Sequence, residues 1–94
     1  MAASVTVVLP QVLAEVAGGR TELALVGVDS VRAALDSLAG PYPILARRLR
    51  DETGRLRRYV NVYVDGEDVR RGAGLDTAVA DGQEILVIQS VAGG

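Results

Sequence analysis

The stretch Tyr59 to Val64 (YVNVYV), followed at once by Asp65-Gly66, constrains this chain more than any other. Its strict alternation has the two-residue period of a strand. Asp-Gly is a pair that two-residue hairpin turns favour, because both central positions of such a turn need positive φ. Val60, Val62 and Val64 fall on one face, with Tyr59, Asn61 and Tyr63 on the other. A strand with one apolar face needs a sheet to join and a layer to cover it.

Partners for that strand are legible on either side of it. Ser4 to Leu9 alternates, with Val5, Val7 and Leu9 on one face and Thr6 and Val8 on the other, and Pro10 stops it. Gln11 to Ala17 fits a helical turn before Gly18-Gly19, and Thr21 to Val26 predicts a second strand with Leu23 and Leu25 sharing a face. After Asp65-Gly66 the pattern puts Val69 on a short return strand, and after Gly72 and Gly74 it puts Leu75 and Val79 on one helical turn. Asp81-Gly82 is another tight turn. Glu84 to Gln89 follows, and Ile85 to Ile88 is apolar on both faces, as a central strand is.

Cover for the sheet comes from Val31, Ala34, Leu35 and Leu38, spaced i, i+3, i+4, i+7 behind an N-capping Ser30 and ended by Gly40-Pro41. A short second helix fits Ile44 to Arg50, with Leu45 and Leu49 one turn apart, before a polar loop from Asp51 to Arg58 around Gly54. The order predicts an α+β, ubiquitin-like β-grasp roll. Its mixed sheet carries one main helix on one face and has the last strand in the middle beside the first. Pattern alone leaves a ferredoxin-like arrangement, with one more helix, open. Residues 1–90 form the domain in this reading and 91–94 a flexible C-terminal Gly-Gly tail.

Composition narrows the chemistry. With 94 residues the chain has room for one domain and no deep cleft around a large substrate. It has no Cys, His, Trp or Phe, so thiolate nucleophiles, disulfides, Cys/His metal sites and imidazole bases are excluded. The twelve acidic residues are scattered without the spacing of an acid/base pair. The sequence therefore predicts no catalytic residues, no metal and no enzyme activity of its own. No apolar run approaches the roughly 18 residues of a membrane span, and Met1 is followed by no basic leader, which predicts a cytoplasmic protein without a membrane partner.

All ten basic residues are Arg. Eight of them lie between positions 47 and 71 against five acids, a local excess of +3 in a chain of net charge −2. A solvated loop face explains this, and steering toward an acidic partner is the sharper alternative. The domain is too acidic overall to predict nucleic-acid binding. On the outward sheet face Val8, Tyr59, Tyr63, Leu86 and Ile88 fall together, a candidate partner-docking patch.

The chain ends Val91-Ala92-Gly93-Gly94, directly after the last strand. Residues without bulk suit a tail that threads a narrow channel, and a terminal carboxylate is ionised at neutral pH. Gly18 to Arg20 (GGR), Arg58 to Arg70 (RYVNVYVDGEDVR), Gly74 to Gly82 (GLDTAVADG) and the final VAGG together resemble the ubiquitin-like sulfur carriers. These include the molybdopterin synthase small subunit, the thiamin-thiazole sulfur carrier and, in closest resemblance, the actinobacterial cysteine-biosynthesis carrier. The likeness spans essentially the whole chain. It departs at Gln83, where the family often has an acid, and at Gln89-Ser90, where it often has Pro.

The resemblance implies that Gly94 is the sulfur-carrying terminus and that Val91, Ala92 and Gly93 thread into partner enzymes. An E1-like enzyme would use ATP to adenylate the carboxylate, and a sulfur donor would displace AMP to leave a thiocarboxylate, with no cofactor bound by the carrier itself. A sulfur-accepting biosynthetic enzyme would be the second partner, and on the cysteine route a metalloprotease would release the product. A sulfur-containing natural product, molybdopterin or thiazole are the other destinations. Two different readings stay open: a protein modifier conjugated through Gly94, and a β-grasp interaction module with an inert tail.

Overall fold

The computed structural model describes residues 4–90. The tail residues Val91, Ala92, Gly93 and Gly94, and the flexibility expected of them, lie outside the described residues. Three strands run close to their expected bounds: β1 (Ser4–Val8), β2 (Glu22–Val26) and β3 (Val60–Val64). A two-residue β4 (Glu67–Asp68) and β5 (Glu84–Gln89) complete a five-stranded sheet in the order β2-β1-β5-β3-β4. β1 and β5 are parallel, and the other pairings are antiparallel. This is the β-grasp arrangement, with the last strand central and hydrogen-bonded on both sides.

Alternation decides which face is buried. Val5 and Val7 of β1, Ile85 and Val87 of β5, and Val60, Val62 and Val64 of β3 all face the core. Helix α2 (Val31–Leu38) covers them with Val31, Ala34, Leu35 and Leu38, and the Ser30 Oγ caps it by accepting from the Ala33 N–H at 3.0 Å. Helix α3 (Pro43–Leu49) adds Leu45 and Leu49 and starts on Pro43, whose fixed φ and missing N–H suit a first helical position. The turn α1 (Gln11–Ala14) buries Leu13 and Ala14.

Two local expectations are corrected. Val69 is not on the return strand: the Asp68 Oδ1 accepts from the Arg70 N–H at 2.9 Å and bends the chain into a 3₁₀ turn over Val69–Arg71, which still buries Val69. Leu75 and Val79 do not share a helical turn either. A 3₁₀ turn over Gly74–Asp76 closes when the Thr77 N–H and hydroxyl both donate to the Gly74 carbonyl, and Val79 lies beyond it in extended chain, its N–H bonded to the Asp29 carbonyl. In the β3–β4 turn Asp65 takes φ 50° and Gly66 φ 83°, as the Asp-Gly pair predicts.

Candidate functional site

Strand direction sets what lies near the tail. β1 and β5 run the same way and β3 runs opposite, so the end of β5 meets the start of β3: Gln89 pairs with Val60, and the Ser90 N–H donates to the Tyr59 carbonyl at 2.7 Å. The Asn61 Nδ2 also donates to the Ser90 Oγ at 3.2 Å. Ser90, the last described residue, is thereby held by main-chain and side-chain bonds one residue before Val91.

Arg70 secures the same corner from the side. One guanidinium nitrogen donates to the Val60 carbonyl at 2.6 Å and to the Asn61 Oδ1 at 2.8 Å, while the other donates to the Arg57 carbonyl at 2.8 Å. Sequence reasoning missed this clamp, since nothing local to Arg70 marks a reach back to residues 57 to 61. Arg57 is fixed in turn, its Nε donating to the Arg47 carbonyl of α3 at 2.7 Å.

The open face is organised by register. Glu22, Val8, Leu86, Tyr63 and Asp68 form one cross-strand row over all five strands. The half-buried Val8, Leu86 and Tyr63 sit side by side at its centre with a carboxylate at each edge. Ile88 stands on the same face beside Asn61, 41% exposed and two residues nearer the tail. Tyr59 is placed differently from its four companions. It lies in the turn before β3, outside the ladder, and packs half-buried against the core. The apolar row is therefore three residues wide, with Ile88 extending it toward Ser90.

At the other end of the sheet the turns that precede β5 and follow β3 are tied together. Gln83 donates from Nε2 to the Asp65 Oδ2 at 2.6 Å and accepts the Ala80 N–H on Oε1 at 2.7 Å. The Asp81 Oδ1 and the Gly82 N–H hold Ser4 at the start of β1. An open groove there, lined by Asp65, Glu67, Asp68 and Arg71, is remote from Ser90. Among the described residues no three acidic side chains converge as metal ligands would.

Comparison with known proteins fits this geometry. The ThiS family matches residues 7–94. The chain is a member of the ThiS family. This ThiS-family chain is 40% identical over 93 residues to the sulfur carrier protein CysO of Mycobacterium tuberculosis, covering 97% of the chain and 99% of the relative. The crystal structure of that CysO superposes with a TM-score of 0.83 at 37% identity, over 93% of this chain and 99% of that one. The CysO of Amycolatopsis orientalis, solved in complex with BexX, gives a TM-score of 0.80 at 35% identity, over 96% and 99% of the two chains. Small archaeal modifier protein 1 of Haloferax volcanii is 41% identical over 83 residues, covering 87% of the chain and 91% of the relative. The chain is thus a homologue of a sulfur carrier protein with the ubiquitin-like fold, and one such relative is known in complex with another protein. Among the described residues no helix is long and apolar enough to cross a membrane.

Proposed function

We propose that this chain carries sulfur on its C-terminal Gly94 in the cytoplasm, as a consumed and regenerated substrate of other enzymes rather than an enzyme itself. A carboxylate is a poor electrophile until one oxygen becomes part of a phosphate leaving group. In the first step the Gly94 carboxylate attacks the α-phosphate of ATP on an E1-like enzyme, forming the acyl-adenylate and releasing pyrophosphate. In the second a hydrosulfide-equivalent donor adds to the acyl carbon and AMP leaves, so that C–S replaces C–O and a thiocarboxylate remains. The carrier binds no cofactor, since ATP belongs to the activating enzyme. A second partner then takes the sulfur, with cysteine formation the first choice of route and a metalloprotease releasing the product.

One observation carries the reading: Ser90, the residue before Val91 in sequence, is pinned at the end of the central strand, on the side of Ile88 and the Val8, Leu86, Tyr63 row. Docking that row on a partner would set the reach of the tail, and Gly93 and Gly94 would pass where a Cβ would not. Likeness to a protein named a modifier supports a second reading, conjugation of Gly94 to lysines of other proteins.

Intact-protein mass after incubation with ATP, a sulfur source and host lysate separates the two. A gain equal to replacing one oxygen by sulfur, absent from a Gly94-deleted chain, is the expected result. High-mass conjugates without that gain would favour the modifier. An unchanged mass, with the host's activating enzyme working on another carrier, would overturn both.

A further inference from the structure

The local charge excess between residues 47 and 71 resolves, in three dimensions, into a charge axis along the sheet. β3 spans about 17 Å at the usual rise per residue. At its start, beside Ser90, stand Arg57, Arg58 and the Arg70 guanidinium, with Arg47 joined to Arg57 through its carbonyl. Arg20, just before β2, lies at the same end of the sheet, next to Glu22. At the far end are Asp65 in the β3–β4 turn, Glu67 at the start of β4 and Asp81 before β5, and Arg71 lines one groove with Asp65 and Glu67.

Among the described residues the ion pairs are Arg32 with Asp76 and Arg50 with Asp36, so Arg57, Arg58 and Arg70 have no carboxylate partner. The hydrogen bonds of Arg57 and Arg70 go to neutral oxygens, which fix these groups in place without pairing either with a carboxylate, although the Asp51 charge lies near enough to Arg57 to act on it. Asp51, the acid nearest in sequence to Arg57 apart from Glu52, has its Oδ1 taken by Thr53 and Arg55 within its own loop. A positive collar with no ion pair among the described residues, on an acidic chain, calls for a complement of opposite sign.

We infer that the Arg57, Arg58 and Arg70 collar around Ser90 is a docking surface for a protein partner whose tail-receiving opening is rimmed by carboxylates. The acidic far end would be repelled by the same rim, so encounter is oriented with Ser90 toward the opening. Such complementarity acts on association rate and orientation more than on final affinity. This assignment rests on the carrier reading for its purpose, since the partner meant is one that receives the tail, but its surface is testable without it.

The test makes the same charge change in the collar, Arg58→Glu, and in the neighbouring groove that Arg71 lines with Asp65 and Glu67, Arg71→Glu, in the full chain. Both residues are exposed, and circular dichroism checks that each variant folds. Nitrogen-15-labelled protein is titrated with a hexaglutamate peptide at low ionic strength. Shifts are expected to gather on Arg57, Arg58, Asn61, Arg70 and Ser90, to weaken in Arg58→Glu and to persist in Arg71→Glu. Equal shifts at Arg32 and Arg71, or equal weakening by both variants, would overturn the assignment. In parallel, the second-order rate of thiocarboxylate formation on the host's activating enzyme should fall about tenfold in Arg58→Glu at low salt and recover relative to wild type at high salt, where steering is screened. Arg71→Glu should leave it unchanged. If wild type gains no sulfur at all, the carrier reading fails, and the peptide titration still decides the collar.

Discussion

Gln83→Glu isolates the side-chain hydrogen bond that ties the turn before β5 to the turn after β3. The change keeps the oxygen that accepts from the Ala80 N–H and replaces only the donor that lies 2.6 Å from the Asp65 Oδ2. Loss of the hydrogen bond costs about 1 kcal/mol, the low end for a charged acceptor because Asp65 is exposed. Two carboxylates about 4 Å apart repel by about 1 kcal/mol in water. The sum is about 2 kcal/mol at pH 7, a fall in Tm of about 8–16 °C for a domain of this size. The sign in acid follows from the same geometry. A like charge raises the new carboxyl's pKa in the folded state, so the folded chain binds more protons and the variant's stability falls as pH rises from about 4 to 7. Below that window the protonated acid donates as the amide did, and the deficit closes. Thermal unfolding of variant and wild type from pH 3 to 7 measures it. A Tm equal to wild type at pH 7, or a deficit unchanged in acid, would refute the reasoning.

Three further outcomes follow from the site. Leu86→Arg puts a charge at the centre of the Val8, Leu86, Tyr63 row, and it should abolish detectable sulfur loading while moving Tm by only a few degrees, because the residue is half-buried on the open face; wild-type loading rates would remove the row from partner docking. Arg70→Met removes the guanidinium donors to the Val60 and Arg57 carbonyls, the latter keeping only the Val60 N–H, and hydrogen exchange of the Ser90 amide should speed about tenfold, the equivalent of about 1.4 kcal/mol of local opening; unchanged exchange would mean that the clamp does not secure Ser90. The Asp51 carboxyl lies below the usual carboxylate range, chiefly because the Thr53 hydroxyl donates to it at 2.6 Å, with the Thr53 and Arg55 N–H groups and the Arg57 charge adding to this against partial desolvation. Its stabilising contribution is complete above the unfolded pKa and lost as pH falls through the depressed one. Thr53→Ala should raise the value in a carbon-detected NMR titration, and no movement would assign the depression elsewhere.

Legibility in the sequence followed contact range. Alternation in Ser4 to Leu9 and Tyr59 to Val64 gave the strands and their buried faces, and the i, i+3, i+4, i+7 stripe behind Ser30 gave α2, because each signal lies within one turn or one strand. Val69 and Val79 fall outside the elements their pattern predicts for a reason of the same kind. Their apolar character shows that they pack inward, but the Asp68 cap and the Thr77 bonds to Gly74 convert the chain there to 3₁₀ turns. Tyr59 continued the alternation of β3, yet the strand begins one residue later. Arg70 and Gln83 were invisible as site residues, since their partners lie 9 to 18 positions away and depend on which strands adjoin.

The order of the strands explains why a tail belongs on β5 rather than on any other. β2 and β4 form the edges of the sheet, and β4 is only two residues long, so a segment leaving either would swing with a fraying strand. β5 is bonded on one side to β1 and on the other along its length to β3, with Arg70 clamping the strand that holds its last residue. To move Ser90 the chain must open the centre of the sheet. That rigidity lets two surfaces, the apolar row on the open face and the arginine collar at the sheet's end, be measured from the same fixed point. A partner that matches both meets the tail in one register, whereas a partner that matches the apolar row alone is free to slide along it. Combining Leu86→Ala, a milder cut into the row that leaves a measurable rate, with Arg58→Glu should therefore cost less in loading rate than the product of the two single effects, since each removes the same oriented encounter. Strict multiplicativity would show that the row and the collar act independently and would refute a shared oriented encounter.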